Sequence, residues 1–91
     1  LNPKVKPTER IRDIAFSPDG TRIYVAAADQ VTAVDVESGE TAWVYTAPRS
    51  FGFLIISPWS LDVSEEGEVV AAFDNGTIVS WDATGQVTHK W

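Results

Sequence analysis

The chain states one pattern twice, and that repetition restricts its fold more than any other feature. VTAVDVESGETAW at Val31–Trp43 runs through alternating apolar residues to Asp35, turns at Gly39 and closes on Trp43. TIVSWDATGQVTHKW at Thr77–Trp91 does nearly the same with Asp82, Gly85 and Trp91. Gly20 and Gly67 stand 47 residues apart, Asp35 and Asp82 also 47, and Gly39 and Gly85 46. The one-residue differences fall in turns, where a change of length costs little. Such a chain is built from two copies of one supersecondary unit.

Each copy reads as four strands. In the first, Ile11, Ile14 and Phe16 lead into Ser17-Pro18-Asp19-Gly20, where Pro presets φ and Gly takes the position that needs φ > 0. RIYVAAA at Arg22–Ala28 is short, β-branched and aromatic at its front, and bounded by turn residues, which predicts a strand buried on both faces. VTAVDV and TAWVYT follow as the third and fourth strands. The second copy restarts with WSLDVS, turns through the acidic EEGE at Glu65–Glu68, and continues with VVAAF. Asn75-Gly76 then supplies a strong hairpin signal before IVSWDA and QVTHKW. The expected organisation is an extended connector over residues 1–10, a first unit over 11–46, a connecting segment over 47–58 and a second unit over 59–91.

Four antiparallel strands per unit, a period in the forties and no helical pattern are the sequence signature of β-propeller blades. The expected fold is all-β: two four-stranded antiparallel blades, part of a propeller or a half-module that oligomerises. IAFSPDGTRIYVA at Ile14–Ala26 resembles WD-repeat proteins, as does TIVSWDATG, where Trp81-Asp82 stands at that family's Trp-Asp dipeptide. Both units are also similar to the quinoprotein (PQQ)-type propeller repeat, which Ala33, Asp35, Gly39 and Trp43 match in the first unit and Asp82, Gly85 and Trp91 in the second. The resemblance covers residues 11–91. Closed propellers hold four to eight blades. It therefore implies further blades as partners, from the same longer chain or from copies of this one.

Composition narrows the function classes. The formal charge is −6, and beyond Arg12 three bases face twelve acids, so no phosphate-tracking surface and no nucleic-acid partner is expected. Lys4, Lys6, Arg10 and Arg12 form a basic leader, read as solvated. No cysteine is present for disulfides or thiolate chemistry. The longest apolar run, Phe51–Ile56 apart from its glycine, is far short of the roughly 20 residues a spanning helix needs, which predicts a soluble chain without a membrane partner. The compartment is left open.

The residues with chemical potential also have structural readings. Asp35 and Asp82 are acids at matched positions inside the repeat; repetition of one Asp per unit points to turn capping rather than to an acid–base pair. Trp43 and Trp91 are expected to dock onto the adjacent unit, and Trp81 to sit in the core. Together with Asp19, Gly20, Gly39, Gly67, Asn75, Gly76 and Gly85 these make up the structural repeat motif. His89 is the single histidine, expected on an outer strand. A Ser80–His89–Asp82 arrangement carries no nucleophile signature. No catalytic, cofactor-binding or metal-ligating residue is assigned, and no cofactor is expected.

The connecting segment offers a different kind of site. Arg49, Phe51, Phe53 and Trp59 lie around it, a candidate partner surface if they are exposed; the alternative is that Phe53–Ile56 extends a sheet edge and is buried. The resulting functional expectation is a non-enzymatic protein-binding or assembly scaffold, with a protein or peptide as possible partner. The alternatives are a fragment of a quinoprotein dehydrogenase-like propeller binding PQQ, against which the absence of cysteine counts, and a sugar-binding propeller.

Overall fold

Turn chemistry divides the described residues into eight short strands. The computed structural model describes residues 10–91, so the connector expected over residues 1–10, and with it Lys4 and Lys6, lies outside the described residues except for Arg10. The strands are β1 (Ile11–Phe16), β2 (Arg22–Ala27), β3 (Gln30–Asp35), β4 (Thr41–Thr46), β5 (Pro58–Val63), β6 (Val69–Phe73), β7 (Ile78–Trp81) and β8 (Val87–Lys90). They form two antiparallel sheets in sequence order, β1-β2-β3-β4 and β5-β6-β7-β8, and the described residues contain no helix.

The second strand of the first sheet is buried on both sides, as its run of apolar residues predicts: Ile23 through Ala27 are all inaccessible. Period-two alternation sends them to two different clusters. Tyr24, with Val31 and Ala33 of β3, packs against Val69, Ala71, Phe73, Val79 and Trp81 of the second sheet. Ile23, Val25, Ala27 and Val34 form a separate cluster on the opposite face, with Val36 against it. The first cluster therefore joins the sheets. Its centre is Trp81, fully buried, with Tyr45 edge-on at 5.0 Å between ring centroids and Trp43 at 5.8 Å. At about 25 cal/mol per Å² over some 200 Å², the indole contributes about 5 kcal/mol of transfer free energy to the joint.

Polar contacts set how the sheets meet. The Leu61 N–H of β5 donates to Asp13 Oδ2 of β1 at 2.7 Å, while Ile14 N–H donates to Asp13 Oδ1 at 2.9 Å, so one carboxylate ties neighbouring edge strands together. Arg22 and the Trp43 indole N–H both donate to the Ala83 carbonyl, the latter at 3.3 Å.

Irregularities repeat along with the strands. β1 and β5 each carry a bulge, at Arg12 and at Trp59, and the Arg12 guanidinium lies 4.4 Å from the Trp59 ring centroid. β4 carries one at Ala42, between the partners of Ala33 and Val34, and β8 one at Thr88, between the partners of Ser80 and Trp81. A bulge adds one residue and re-aims the side chains beside it.

Candidate partner-docking surface

The segment from Ala47 to Ser57 leaves β4 and returns to β5. Its two ends are tied down. Ala47 N–H donates to the Asp29 carbonyl at 2.9 Å, and Ser57 and Asp74 bond each other twice: Asp74 N–H to the Ser57 carbonyl at 2.9 Å, and Ser57 N–H to Asp74 Oδ1 at 3.1 Å. Between the anchors the chain makes a miniature hairpin. Ser50 and Leu54 exchange backbone bonds of 3.0 and 2.9 Å, and Phe53 N–H also donates to the Ser50 carbonyl at 3.2 Å. Phe51 and Gly52 both take positive φ, 54° and 79°. Gly adopts that region without strain, but for Phe it is uncommon and must be held by its surroundings, here the Ser50–Leu54 pairing.

The hairpin lifts its aromatics away from the body. Phe51 is 84% exposed and Phe53 69%, so the buried-edge alternative does not hold for them. Leu54 and Ile55 are also exposed, and only Ile56 turns in against the core. Beside the hairpin lies a groove of about 230 Å³ between the two sheets, with Tyr45, Ile56, Phe73 and Val79 along it and Arg49 and Lys90 among its walls. Trp59, grouped with these residues by sequence, stands on β5 beneath Arg12 and does not line the groove.

The repeat-motif residues are placed as follows. Asp19 accepts hydrogen bonds from Thr21 N–H at 3.0 Å and from the Ser17 and Thr21 hydroxyls at 2.7 Å each. The Thr21 backbone bond foremost, with the two hydroxyls, lowers its pKa to about 2. Asp35 accepts from Ser38 N–H at 2.9 Å, which lowers its pKa too. Asp82 accepts from the Thr84 hydroxyl at 2.6 Å and from Gln86 N–H at 3.1 Å, with the same effect. All three thus direct their oxygens into their own turns. Gly20, Gly39, Gly67, Gly76 and Gly85 have positive φ, and Asn75 Oδ1 accepts from Thr77 N–H at 3.0 Å beside Gly76.

The tryptophans separate. Trp43 lies against the second sheet, over Gly85. Trp91 does not occupy the matching station: its backbone pairs with Ile78, as Tyr45 pairs with Val31, whereas His89 faces Ser80 as Trp43 faces Ala33. Trp91 is the counterpart of Tyr45, and the match between Trp91 and Trp43 read from the sequence is corrected accordingly. It is 65% exposed and stacks on His89 at 5.3 Å and 17°. Ser80, His89 and Asp82 do not assemble: the Ser80 hydroxyl bonds Thr88 at 2.7 Å, Thr88 bonds Glu68 at 2.6 Å, and His89 Nδ1 lies 3.9 Å from Glu68.

Asp13 and Arg22 were not singled out from the sequence, and no motif marks them. Among the described residues no three His, Cys, Asp or Glu side chains gather as metal ligands. The acidic Glu65 and Glu66 line a separate hollow of about 370 Å³ with Asp19 and Arg22.

No family model matches the sequence, and no curated protein matches it either. Solved structures do match in shape. The WD40 repeats of RRP9 superpose with a TM-score of 0.79 at 20% identity, over 96% of this chain and 27% of that one. BamB from Moraxella catarrhalis gives 0.75 at 16%, over 96% and 26%. The Swd1 β-propeller domain of Myceliophteria thermophila gives 0.72 at 14%, over 99% and 33%. The two sheets are β-propeller blades. The chain spans about a quarter to a third of the length of these structures. In this frame β1 and β5 are equivalent neighbouring strands of successive blades, and the Phe51–Phe53 hairpin belongs to the inter-blade connection.

Proposed function

We propose that this chain is a non-enzymatic propeller segment that serves as a protein-binding or assembly scaffold, with the inter-blade hairpin as its contact point. The observation that carries the reading is the combination of exposure and fixation at Phe51 and Phe53. Both rings stand in solvent, while the backbone beneath them is pinned by Ser50, Leu54 and the paired Ser57 and Asp74. Aromatic side chains held in one orientation lose little entropy on binding and are favoured as anchors. Likeness to WD40 and other propeller structures supports the scaffold part of the reading. Other blades are the second class of partner, because two blades do not close a ring.

A photoreactive phenylalanine placed at position 51 or 53, irradiated in extract from the source cells, tests the contact point. Expected are discrete protein adducts at both positions that vanish when the other aromatic is replaced by Ala. Equal labelling from Val87, which is 44% exposed on β8, would overturn the reading. The double variant Phe51→Ala, Phe53→Ala keeps its cooperative unfolding, since neither ring is part of a core cluster.

A further inference from the structure

Three basic residues serve the whole chain beyond Arg12, and their placement is uneven. Arg22 is engaged with the Ala83 carbonyl. The other two, Arg49 and Lys90, are distant in sequence but line the same groove between the blades. Among the described residues no Asp or Glu lines it and neither cation forms a salt bridge. Asp74, in the turn nearby, has its carboxylate on Ser57 N–H. On a body that is otherwise strongly acidic, this groove is a local reversal of sign.

We infer that the groove holds an acidic segment of a partner polypeptide, an extended peptide carrying Asp or Glu next to an apolar side chain. The inference rests on the reading of the adjacent hairpin as a docking surface and names the partner's chemistry. Arg49 and Lys90 face the carboxylate, with Ser50, Asn75 and Thr77 beside them as hydrogen-bonding groups, while Tyr45, Phe73, Ile56 and Val79 take the apolar neighbour. At about 230 Å³ the groove is smaller than the roughly 300–1,000 Å³ of sites for whole small molecules, and it suits a side chain or two of a longer ligand. The surrounding acids decide the kind of anion. A polyanion such as nucleic acid meets repulsion from the twelve acids beyond Arg12, whereas one or two carboxylates on an apolar peptide feel chiefly the two nearby cations.

The test is to pan a displayed library of random decapeptides against the full chain and to measure the best recovered peptide by fluorescence anisotropy. Recovered sequences should be enriched in Asp or Glu beside Leu, Ile, Val or Phe. Arg49→Glu and Lys90→Glu should each weaken the peptide at least tenfold, Arg49→Gln and Lys90→Gln by less, and amidating its acids should weaken it as the reversals do. Both positions are exposed, so unchanged tryptophan emission and melting confirm that the variants fold. Failure to recover any peptide, recovery without acidic enrichment, or indifference to both reversals would each overturn the inference. If an adduct partner still needs Phe51 and Phe53 but ignores both reversals, the groove assignment falls while the hairpin reading stands; if it needs the cations but not the aromatics, the reverse holds.

Discussion

Trp43 of the first blade rests on Gly85 of the second, so closely that a Cβ built at Gly85 would lie 2.5 Å from Trp43 Cγ. Gly85 also has φ of +89°, so it meets two demands at once. Gly67, at φ +86°, meets only the first, with nothing within 4 Å of its would-be Cβ. Gly67→Ala should cost about 1–2 kcal/mol from backbone strain alone. Gly85→Ala should cost a further 1–3 kcal/mol or so, because the indole must move. Urea denaturation of the two variants, compared by midpoint at constant slope, separates the terms; equal losses would show that the indole is not seated there.

The two outer tryptophans should differ sharply. Trp43 contacts Tyr24 of its own sheet and Trp81 across the joint, so Trp43→Ala should lose about 3 kcal/mol, while Trp91→Ala should change stability by less than about 0.5 kcal/mol. Thermal unfolding of both variants checks this, and similar shifts in midpoint would contradict the stations assigned to them.

Trp81 carries a cost inside the core. Its indole N–H is buried without a hydrogen-bond partner among the described residues. Leaving such a donor unpaired costs about 1–3 kcal/mol, which partly offsets what the ring's burial contributes. Trp81→Phe should therefore lose only about 1–2 kcal/mol, against about 4 kcal/mol for Trp81→Ala. Calorimetry of the pair reads the difference, and a Phe variant as unstable as the Ala variant would mean that the N–H is satisfied in solution.

Acid should loosen the turns in a defined range. Asp19, Asp35 and Asp82 all have folded pKa values below the ordinary 3.8, Asp19 at about 2. A depressed folded pKa contributes stability that is present above the unfolded value and is lost as pH falls through the folded one. The contribution of these carboxylates should be complete above about pH 4 and decline towards pH 2. Midpoints of urea unfolding between pH 6 and 2 test the sign, and Asp19→Asn should flatten part of the decline.

Strand positions were legible because each rests on local chemistry: Pro18-Asp19-Gly20, Asn75-Gly76 and the Gly39 and Gly85 turns bound runs of β-branched residues. The stations of the outer-strand aromatics were not. Residues 89 and 91 lie on the same face of a strand, so alternation cannot tell which of them answers Trp43; the bulge at Thr88 and the shorter turn before β8 decide it. The partner surface was half legible. Exposed aromatics were foreseen as one outcome, but Phe51 sits at a backbone angle its residue type seldom adopts, so nothing local announces the hairpin. Gly85 was hidden for the opposite reason, since its turn already explains a glycine and leaves no sign of the indole above it.

The residues that make the joint are not repeated at the matching positions of the second blade. Where the first blade presents Trp43, Arg22 and Asp13 to its neighbour, the pairing pattern sets His89, Glu68 and Ser60 in the second. If every joint in a ring were alike, any blade could follow any other, and a chain could close out of step by one station with little penalty. Unlike joints act as addresses. The exchange of an indole for an imidazole and of a guanidinium for a carboxylate makes the second blade's set of residues unsuited to the neighbour that the first blade's set takes.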